Sequence, residues 1–288
     1  MYTFIVTQTD FTKGISTCTM DGVCMMVDPA LRVFDNTHNI PPFDTYTAST
    51  SLDFVVDYWP TGTVFVSVVD PGVGTSRRGC VARLKNGSYV VTPDNGTLTH
   101  MLLRPGVEAV REIDETVNRL PGSEGVNIFH GRDVFAYTAA RLAAGMITFE
   151  EVGPAYPVEE IVRHPLPQPT VEADGAVTGM IASADTHFGL VCSNIPMDLF
   201  IRQGFAYGDV LEVVITKGGR EAYRADVPYV PSFGAVAVGE PLLMNSEVRT
   251  IQIAINQENM TDKYKIGCGP DWRIILRHQM ARGSGGRL

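Results

Sequence analysis

The segment at residues 63–80, TVFVSVVDPGVGTSRRGC, constrains the fold of this chain more than any other stretch. Residues 64–69 are mostly β-branched, which is typical of a central parallel strand that is covered on both faces. Asp70 ends this strand, and a loop follows whose proline and glycines suit tight turns. Arg77 and Arg78 complete the loop before the chain turns apolar again.

The position of Asp70 indicates chemistry. Open α/β sheets bind their ligands at the carboxyl ends of the central strands. An acid at that edge, with a glycine loop and arginines nearby, is therefore a candidate catalytic group. An isolated Asp-Pro-Gly is more often a solvated turn with a surface ion pair, so the rest of the chain decides between these two interpretations.

The composition is that of an ordinary globular protein. A chain of 288 residues has room for two domains or one large core, and its residues are 19% charged and 44% hydrophobic. The net charge of −9 argues against a surface for nucleic acids or anionic membranes. No apolar run is long enough to span a bilayer, and the N-terminus resembles a first strand rather than a signal peptide.

The cysteines and histidines do not predict a metal site. The five cysteines are odd in number and include no Cys-x-x-Cys pair, which argues against a disulfide framework or a zinc site. The six histidines show no paired ligand spacing, and no acidic cluster suggests calcium or magnesium. We therefore expect a cytoplasmic protein that uses no metal and no cofactor.

Strands and helices alternate over residues 1–164, which predicts an α/β domain with a mostly parallel central sheet. Asp10 follows the first strand, either as an acid that reaches ribose hydroxyls or as a helix N-cap, and the sequence favours neither. His130 follows a short predicted strand and precedes a predicted helix. A lone histidine is more often structural than catalytic, but one at the same sheet edge as Asp70 and Arg77 is a better candidate.

The second half of the chain has a different character. Residues 165–175 are rich in proline, which predicts a semi-rigid linker at a domain boundary. At 176–280, short alternating segments are separated by Gly, Pro and Asn-Ser turns, a pattern that predicts a smaller antiparallel β-domain, either a barrel or a sandwich. The tail at 281–288 is expected to be disordered.

Seven short motifs occur in order along the chain. They are TDF at 9–11, THNIPP at 37–42, VDPGVGTSRR at 69–78, PDNG at 93–96, FHGRD at 129–133, DTHFG at 185–189 and NS at 245–246. Together they resemble the S-adenosylmethionine hydrolase (hydroxide adenosyltransferase) family, whose relatives include the fluorinating and chlorinating adenosyl transferases. The resemblance covers nearly the whole chain, and VDPGVGT, PDNG and FHGRD are highly specific in combination.

This resemblance implies an N-terminal α/β domain, a C-terminal β-domain and a homotrimer, with S-adenosylmethionine held between the N-terminal domain of one subunit and the C-terminal domain of its neighbour. An Asp-Arg-His set holds the attacking water in the family, and Asp70, Arg77 and His130 match it. The implied substrate-binding residues are Asp10 at the ribose, Phe43 at the sugar, Asp185 at the amino group, Ser246 near the methionine carboxylate with Asn245 beside it in the NS motif, and Phe188 and Phe233 around the substrate.

The chain departs from the family pattern at three places. It is shorter between Phe11 and Met20 and lacks the usual Asp there, and Leu190 stands where the family commonly has Asn. Residues 255–258 read Ile-Asn-Gln-Glu where the family has Val-Asn-x-Gly, with one extra residue before them. These departures concern the contacts to adenine and methionine.

The chemistry of the residue types favours water as the nucleophile. The sulfonium of S-adenosylmethionine makes methionine a good leaving group, so attack at the 5′ carbon needs a nucleophile held in line, away from bulk water. Asp70 can orient a water or accept its proton, Arg77 can keep Asp70 ionised, and His130 can be a second hydrogen-bond partner. The sequence leaves open which group takes the proton.

Three functions follow as hypotheses. The leading one is hydrolysis of S-adenosylmethionine to adenosine and methionine, because an ionised Asp70 repels a halide nucleophile. An adenosyl transferase that uses a halide or another nucleophile is the alternative among enzymes. A non-catalytic module that binds S-adenosylmethionine or adenosine is the alternative outside enzymes, and a retained water-holding set argues against it. The expected partners are S-adenosylmethionine and its two products, with no nucleic acid and no membrane.

Overall fold

The structure is a computed structural model that describes residues 4–278. The chain divides into two compact units, Met1–His164 and Pro165–Leu288. The tail predicted to be disordered, at 281–288, lies outside the described residues. Within residues 4–278, no helix combines the length and the apolar character that crossing a membrane requires.

Within its described residues, 4–164, the first unit contains one sheet of seven strands. In chain order they are β1 (Phe4–Thr9), β2 (Arg32–Thr37), β3 (Val64–Val68), β4 (Gly79–Leu84), β5 (Tyr89–Pro93), β6 (Val107–Glu112) and β7 (Ala155–Tyr156). Their spatial order is β2-β1-β3-β5-β4-β6-β7. β1 pairs in parallel with β2 and β3, and β3 with β5, whereas the pairs β4–β5, β4–β6 and β6–β7 are antiparallel.

The sheet is therefore mixed, with three parallel and three antiparallel pairings. The prediction of an α/β unit is confirmed, but that of a mostly parallel sheet is not. For β4 and β5 the reason is the short turn at 85–88 that joins them, in which Gly87 has φ +84. Strands joined by so short a turn pair antiparallel, because a parallel crossover needs about a dozen residues or more.

Helices cover both faces of this sheet. They are α1 (Ile15–Val27), α2 (Thr45–Val55), α3 (Thr99–Leu103) and α4 (Tyr137–Ala143). All five residues of β3 are buried, and its successive side chains point to opposite faces. Val64, Val66 and Val68 pack in a hydrophobic cluster with residues of α1 and α4, while Phe65 packs in a second cluster with residues of α2 and α3. β3 is thus the buried central strand that residues 64–69 predict.

Over the part that the structure describes, residues 165–278, the second unit contains one sheet of eight strands. Its elements are β8 (Thr170–Val171), β9 (Val177–Ala184), β10 (Val191–Pro196), α5 (Met197–Arg202), β11 (Val210–Lys217), β12 (Arg220–Pro228), β13 (Pro241–Asn245), β14 (Thr250–Ile255), α6 (Met260–Tyr264) and β15 (Gly269–His278). The order is β12-β11-β15-β9-β10-β14-β13, with β8 beside β9, and these strands pair antiparallel. The predicted antiparallel β-domain is confirmed.

This second sheet nearly closes on itself. A bridge between Tyr229, just after β12, and Leu243 in β13 links the two edges of the sheet, so its architecture approaches a barrel. In the predicted linker at 165–175, Thr170 and Val171 form β8 and pair with β9. This part of the linker therefore belongs to the sheet, because its backbone groups find partners there.

Candidate active site

Asp70 and Arg77 form a buried ion pair just beyond the carboxyl end of β3. Arg77 Nε donates to both carboxylate oxygens of Asp70, at 2.9 Å and 3.1 Å, and Arg77 Nη2 donates to Oδ2. The Asp70 and Arg77 side chains are 5% and 10% exposed. Charge-assisted hydrogen bonds from two donors are strong and directional, so the pair fixes the orientation of the carboxylate. The interpretation of Asp70 as part of a solvated turn is excluded.

The glycine loop between these two residues packs against the segment that leads to His130. Thr75 closes a tight turn by donating to the carbonyl of Gly72 through its backbone N–H, at 3.1 Å, and its hydroxyl, at 2.6 Å. Gly74 has φ +75, and a Cβ at this position would lie 2.7 Å from the carbonyl oxygen of Asn127. Glycine allows both this left-handed backbone and this close approach.

The PDNG motif braces the end of β3. Asn95 Nδ2 donates to the carbonyl of Val69 at 2.8 Å, one residue before Asp70. The neighbouring Asp94 is buried and accepts hydrogen bonds from a tyrosine hydroxyl and a backbone N–H. The following helix, α3, begins without a side-chain cap. The motif therefore positions the Asp70 backbone and does not cap the helix.

His130 lies where a loop meets a helix. Residues 127–129 are irregular, so the short strand predicted before His130 is wrong. The helix that follows begins with a π-helical turn, Gly131–Ala136, and continues as α4. π-helical turns are rare and occur often at functional sites. The predicted helix after His130 is confirmed, although its first turn is wider than an α-helix.

The imidazole of His130 lies between two guanidinium groups. Arg77 Nη2 is 3.0 Å from Nδ1, and Arg119 Nη2 is 3.2 Å from Nε2. Glu115 Oε1 lies 3.8 Å from Nδ1. Burial lowers the pKa of His130; Glu115 opposes this effect, the two arginines add to it, and Asp70 opposes it more weakly. Burial and the two arginines therefore favour the neutral ring.

Asp10 holds the backbone of Phe43, whose N–H donates to Asp10 Oδ2 at 2.9 Å. The N-cap of α1 is Gly14, so the interpretation of Asp10 as a helix cap is excluded. Phe43 has φ +68 and is 70% exposed, and Thr12 has φ +58. Non-glycine residues in this left-handed region cost about 1–3 kcal/mol each and cluster at functional sites. Two strained loops thus present the Asp10 carboxylate and the Phe43 ring.

In the second unit, Asp185, which is predicted to bind the amino group of the substrate, and Phe188 lie on the turn between β9 and β10. Asp185 Oδ1 accepts from the N–H groups of His187, at 2.6 Å, and Phe188, at 2.9 Å. These contacts fix the turn and leave Phe188 68% exposed. Phe233 begins a short 3₁₀ helix, Phe233–Ala235, and is 38% exposed. Both phenylalanines therefore present ring surface that the unit itself does not cover.

Asn245 is the last residue of β13, and Ser246 follows it in the turn that leads to β14. Asn245 Oδ1 accepts from the Tyr229 hydroxyl at 2.8 Å, and its Nδ2 donates to the Tyr207 hydroxyl at 2.8 Å. Ser246 Oγ lies 2.9 Å from Thr250 Oγ1. Among the residues that the structure describes, no hydrogen bond joins this turn to the Asp185 turn. Each group is ordered by its own hairpin.

Sequence reasoning missed Arg119 and Glu115. They form an ion pair in the irregular segment after β6. The sequence around them has no helical pattern that would place them on one face, so nothing in it indicated a link to His130. In the part of the chain from 4 to 278, no group of three or more His, Cys, Asp and Glu side chains is arranged to hold a metal ion.

Comparisons with known proteins identify the family of this chain. The family model for the SAM hydroxide adenosyltransferase N-terminal domain matches residues 5–153, and that for the C-terminal domain matches 179–273. An (R)-S-adenosyl-L-methionine hydrolase from Salinispora tropica is 35% identical over 254 residues, 88% of this chain and 90% of the relative. A fluorinase from an Actinoplanes species is 26% identical over 271 residues, 86% of this chain and 89% of the relative.

A solved structure is also similar over its full length. It is an uncharacterized conserved protein from Thermotoga maritima, with a TM-score of 0.82 and 34% identity, covering 95% of this chain and 100% of that chain. The fold, the ordered motifs and both family matches point to one assignment. The chain belongs to the SAM hydroxide adenosyltransferase family.

Proposed function

We propose that this protein hydrolyses S-adenosyl-L-methionine to adenosine and L-methionine by attack of water on the 5′ carbon. The observation that carries this proposal is the contact of Asp70, Arg77 and His130 in one buried hydrogen-bonded set. By their names, the relatives include a hydrolase and a fluorinase, so the set must decide whether this chain uses water or a halide as its nucleophile.

In the proposed reaction, the oxygen of water forms a bond to C5′ while the bond from C5′ to sulfur breaks. The electron pair of that bond leaves with the sulfur of methionine, and the positive charge of the sulfonium leaves as a proton. The substrate therefore brings its own activated leaving group. For this reason the reaction needs no metal or cofactor, and the protein contributes orientation and exclusion of water.

The Asp70 carboxylate favours water over halide for two reasons. It is negatively charged, so it repels an anion placed beside it, although Arg77 offsets part of that charge. It is also a hydrogen-bond acceptor, and water can donate to it whereas a halide cannot. A halide at this point would therefore leave a buried carboxylate oxygen facing an anion.

We further propose that the other residues bind the rest of the substrate. Asp10 and Phe43 contact the ribose, Asp185 the amino group, and Asn245 and Ser246 the carboxylate of methionine. The exposed rings of Phe188 and Phe233 lie against the substrate. The resemblance to the family supports a homotrimer in which the substrate is held at an interface between subunits.

The test is product analysis. The purified protein is incubated with S-adenosylmethionine, with and without chloride or fluoride, and the nucleosides are separated by chromatography. Adenosine and methionine in equal amounts, unaffected by halide, are expected. Asp70→Ala and His130→Ala should lose at least about 100-fold in kcat, whereas Asp57→Ala, at a surface ion pair with Arg104, should retain wild-type turnover.

Other products would contradict the proposal. A 5′-halo-adenosine would show that the carboxylate does not exclude halide and would favour an adenosyl transferase. Binding of S-adenosylmethionine by calorimetry without any nucleoside product would favour a binding module. In that case the Asp70→Ala variant should bind as well as the wild type.

A further inference from the structure

Both ring nitrogens of His130 face hydrogen-bond donors, which are unfavourable neighbours for a protonated, positively charged imidazole. Each of its ring nitrogens faces a guanidinium nitrogen, Arg77 Nη2 at 3.0 Å and Arg119 Nη2 at 3.2 Å. Arginine can only donate hydrogen bonds. A neutral imidazole has one lone pair for one arginine and a single N–H. An imidazolium would place an N–H on both nitrogens, so that each would meet another donor and another positive charge.

Arg119 is well placed to exert this effect. Its side chain is 11% exposed, and it is held by an ion pair with Glu115 and by donation from Nη1 to the carbonyl of Val126 at 3.2 Å. The ion pair with Glu115 holds the Arg119 guanidinium beside His130, and the two charges of the pair offset each other. Because the site is largely buried, the charges act through a low dielectric and are weakly screened.

We propose that Arg119 is a positioning residue of this site: with Arg77 it holds His130 as a neutral imidazole, so that His130 supports Arg77 and Asp70 by hydrogen bonding and does not take the proton of the attacking water. This inference rests on the proposed function. The charged groups that face His130 are Arg77, Arg119, Glu115 and Asp70; burial lowers the pKa of the ring, Glu115 and Asp70 oppose this effect, and the two arginines add to it.

The proton of the water then goes to Asp70. As the bond from oxygen to C5′ forms, the attacking water becomes strongly acidic, so that even a carboxylate paired with arginine can accept its proton. The O–H bond breaks, its electrons stay on the oxygen of adenosine, and Asp70 releases the proton to solvent after the product leaves. His130 keeps one N–H and one lone pair throughout.

The first test is the pKa of His130, measured by NMR of isotope-labelled histidine. The chain has six histidines, and the His130 signal is identified by its loss in a His130→Asn variant. Removing a nearby cation in Arg119→Met should raise the pKa, and Arg119→Lys, which keeps the charge, should restore most of the wild-type value. Removing a nearby anion in Glu115→Gln should lower the pKa further.

Opposite shifts distinguish electrostatics from damage, because loosening of the segment would expose His130 and raise its pKa in both variants. Arg141→Met is the matched control: Arg141 anchors the same segment by donating to the carbonyl of Val117 at 2.6 Å and to Asn118 Oδ1 at 2.7 Å. It should leave the His130 pKa unchanged. An unchanged pKa in Arg119→Met, or a raised one in Glu115→Gln, would overturn the proposal.

The second test is turnover. Asparagine at 130 offers an amide that can hydrogen bond to Arg77 but cannot act as a base, so His130→Asn should keep kcat within about tenfold of the wild type, whereas loss of a general base costs about 10²–10⁴-fold. A loss of that size in His130→Asn would overturn the proposal. The titrations do not depend on turnover, and wild-type product analysis tests hydrolysis separately, so the two proposals can fail independently.

Discussion

At the level of single residues, the site depends on the shape of the Arg77 guanidinium as well as on its charge. Its Nε and Nη2 hold the Asp70 carboxylate, and the same Nη2 lies 3.0 Å from His130 Nδ1. A lysine supplies a point charge without the planar fork, so it cannot contact both partners in fixed directions. With lysine at position 77, the orientation of the Asp70 carboxylate toward a water should therefore be lost even though a positive charge remains beside it.

Arg77→Lys tests this dependence on shape. We expect kcat to fall about 10- to 100-fold, because a misplacement near 1 Å can cost about 100-fold in rate. The matched control is Arg104→Lys, since Arg104 likewise contacts two side chains, Asp53 and Asp57, but on an exposed surface. It should retain wild-type kcat. Full activity in Arg77→Lys would mean that positive charge alone is sufficient beside Asp70.

At the level of elements, the sequence predicted what is local and missed what depends on contacts between distant segments. β3, Asp70 and the turn at 85–88 can each be recognised from neighbouring residues, and that turn explains the antiparallel pairing of β4 and β5. The contact between His130 and Arg77 joins residues 53 positions apart. It relies on a π-helical turn that has no hydrophobic period of its own.

The same limit applies to the residues that support the site. Asn95 was visible in a motif, but its donation to the carbonyl of Val69 could not be inferred, because Asn is equally suited to a helix cap. Asp10 was undecided between ribose binding and capping, and the structure excludes the cap. The motifs thus identified the residues of the site, whereas the arrangement of its loops could be seen only in the folded structure.

Gly74→Ala tests the packing between the two loops of the site. The new Cβ would meet the backbone oxygen of Asn127 at 2.7 Å, in a left-handed conformation that alanine disfavours. The loops must move apart, so kcat should fall about 100-fold. Gly62→Ala is the control, with φ +90 and no atom of the described residues within 4 Å of its Cβ. It should lose about 1 kcal/mol of unfolding free energy and keep its activity.

If Gly74→Ala kept both its activity and its unfolding free energy, the loops would be more compliant than their contact indicates. A loss of stability without a loss of kcat would separate the strain of the backbone from the geometry of Asp70 and Arg77. Turnover and urea unfolding of both variants, measured side by side, distinguish these outcomes.

At the level of the whole first unit, two histidines contact the same helix, α2: His100 of α3 and His164, the last residue of the unit. The Tyr46 ring lies between His100 and His164, with ring centroids 5.4 Å and 5.6 Å away. His100 Nδ1 is 2.9 Å from Ser49 Oγ, and His164 Nε2 is 2.9 Å from a threonine hydroxyl of α2. Burial lowers the pKa of His100 to about 4, with a further contribution from His164. Burial also lowers the pKa of His164, against the effect of a nearby aspartate.

These lowered pKa values predict the direction in which stability changes with pH. The unfolded chain takes up a proton at each histidine near the ordinary value of 6.5, while folded His100 does so only near 4. The unfolded state therefore binds more protons between these values, and the unfolding free energy falls as the pH drops through that window. For His100 the full loss is about 3 kcal/mol below pH 4, from about 1.4 kcal/mol for each pKa unit.

The experiment is urea unfolding at pH 7 and pH 5. The chain has two tryptophans, Trp59 in the first unit and Trp272 in the second, so a Trp272→Phe background makes fluorescence report the first unit. In that background, His100→Asn should lose less stability between the two pH values, because it lacks the titrating ring. His187→Asn, at an exposed position, should retain the full pH dependence. An equal acid loss in all three proteins would show that the free energy comes from groups other than His100 and His164.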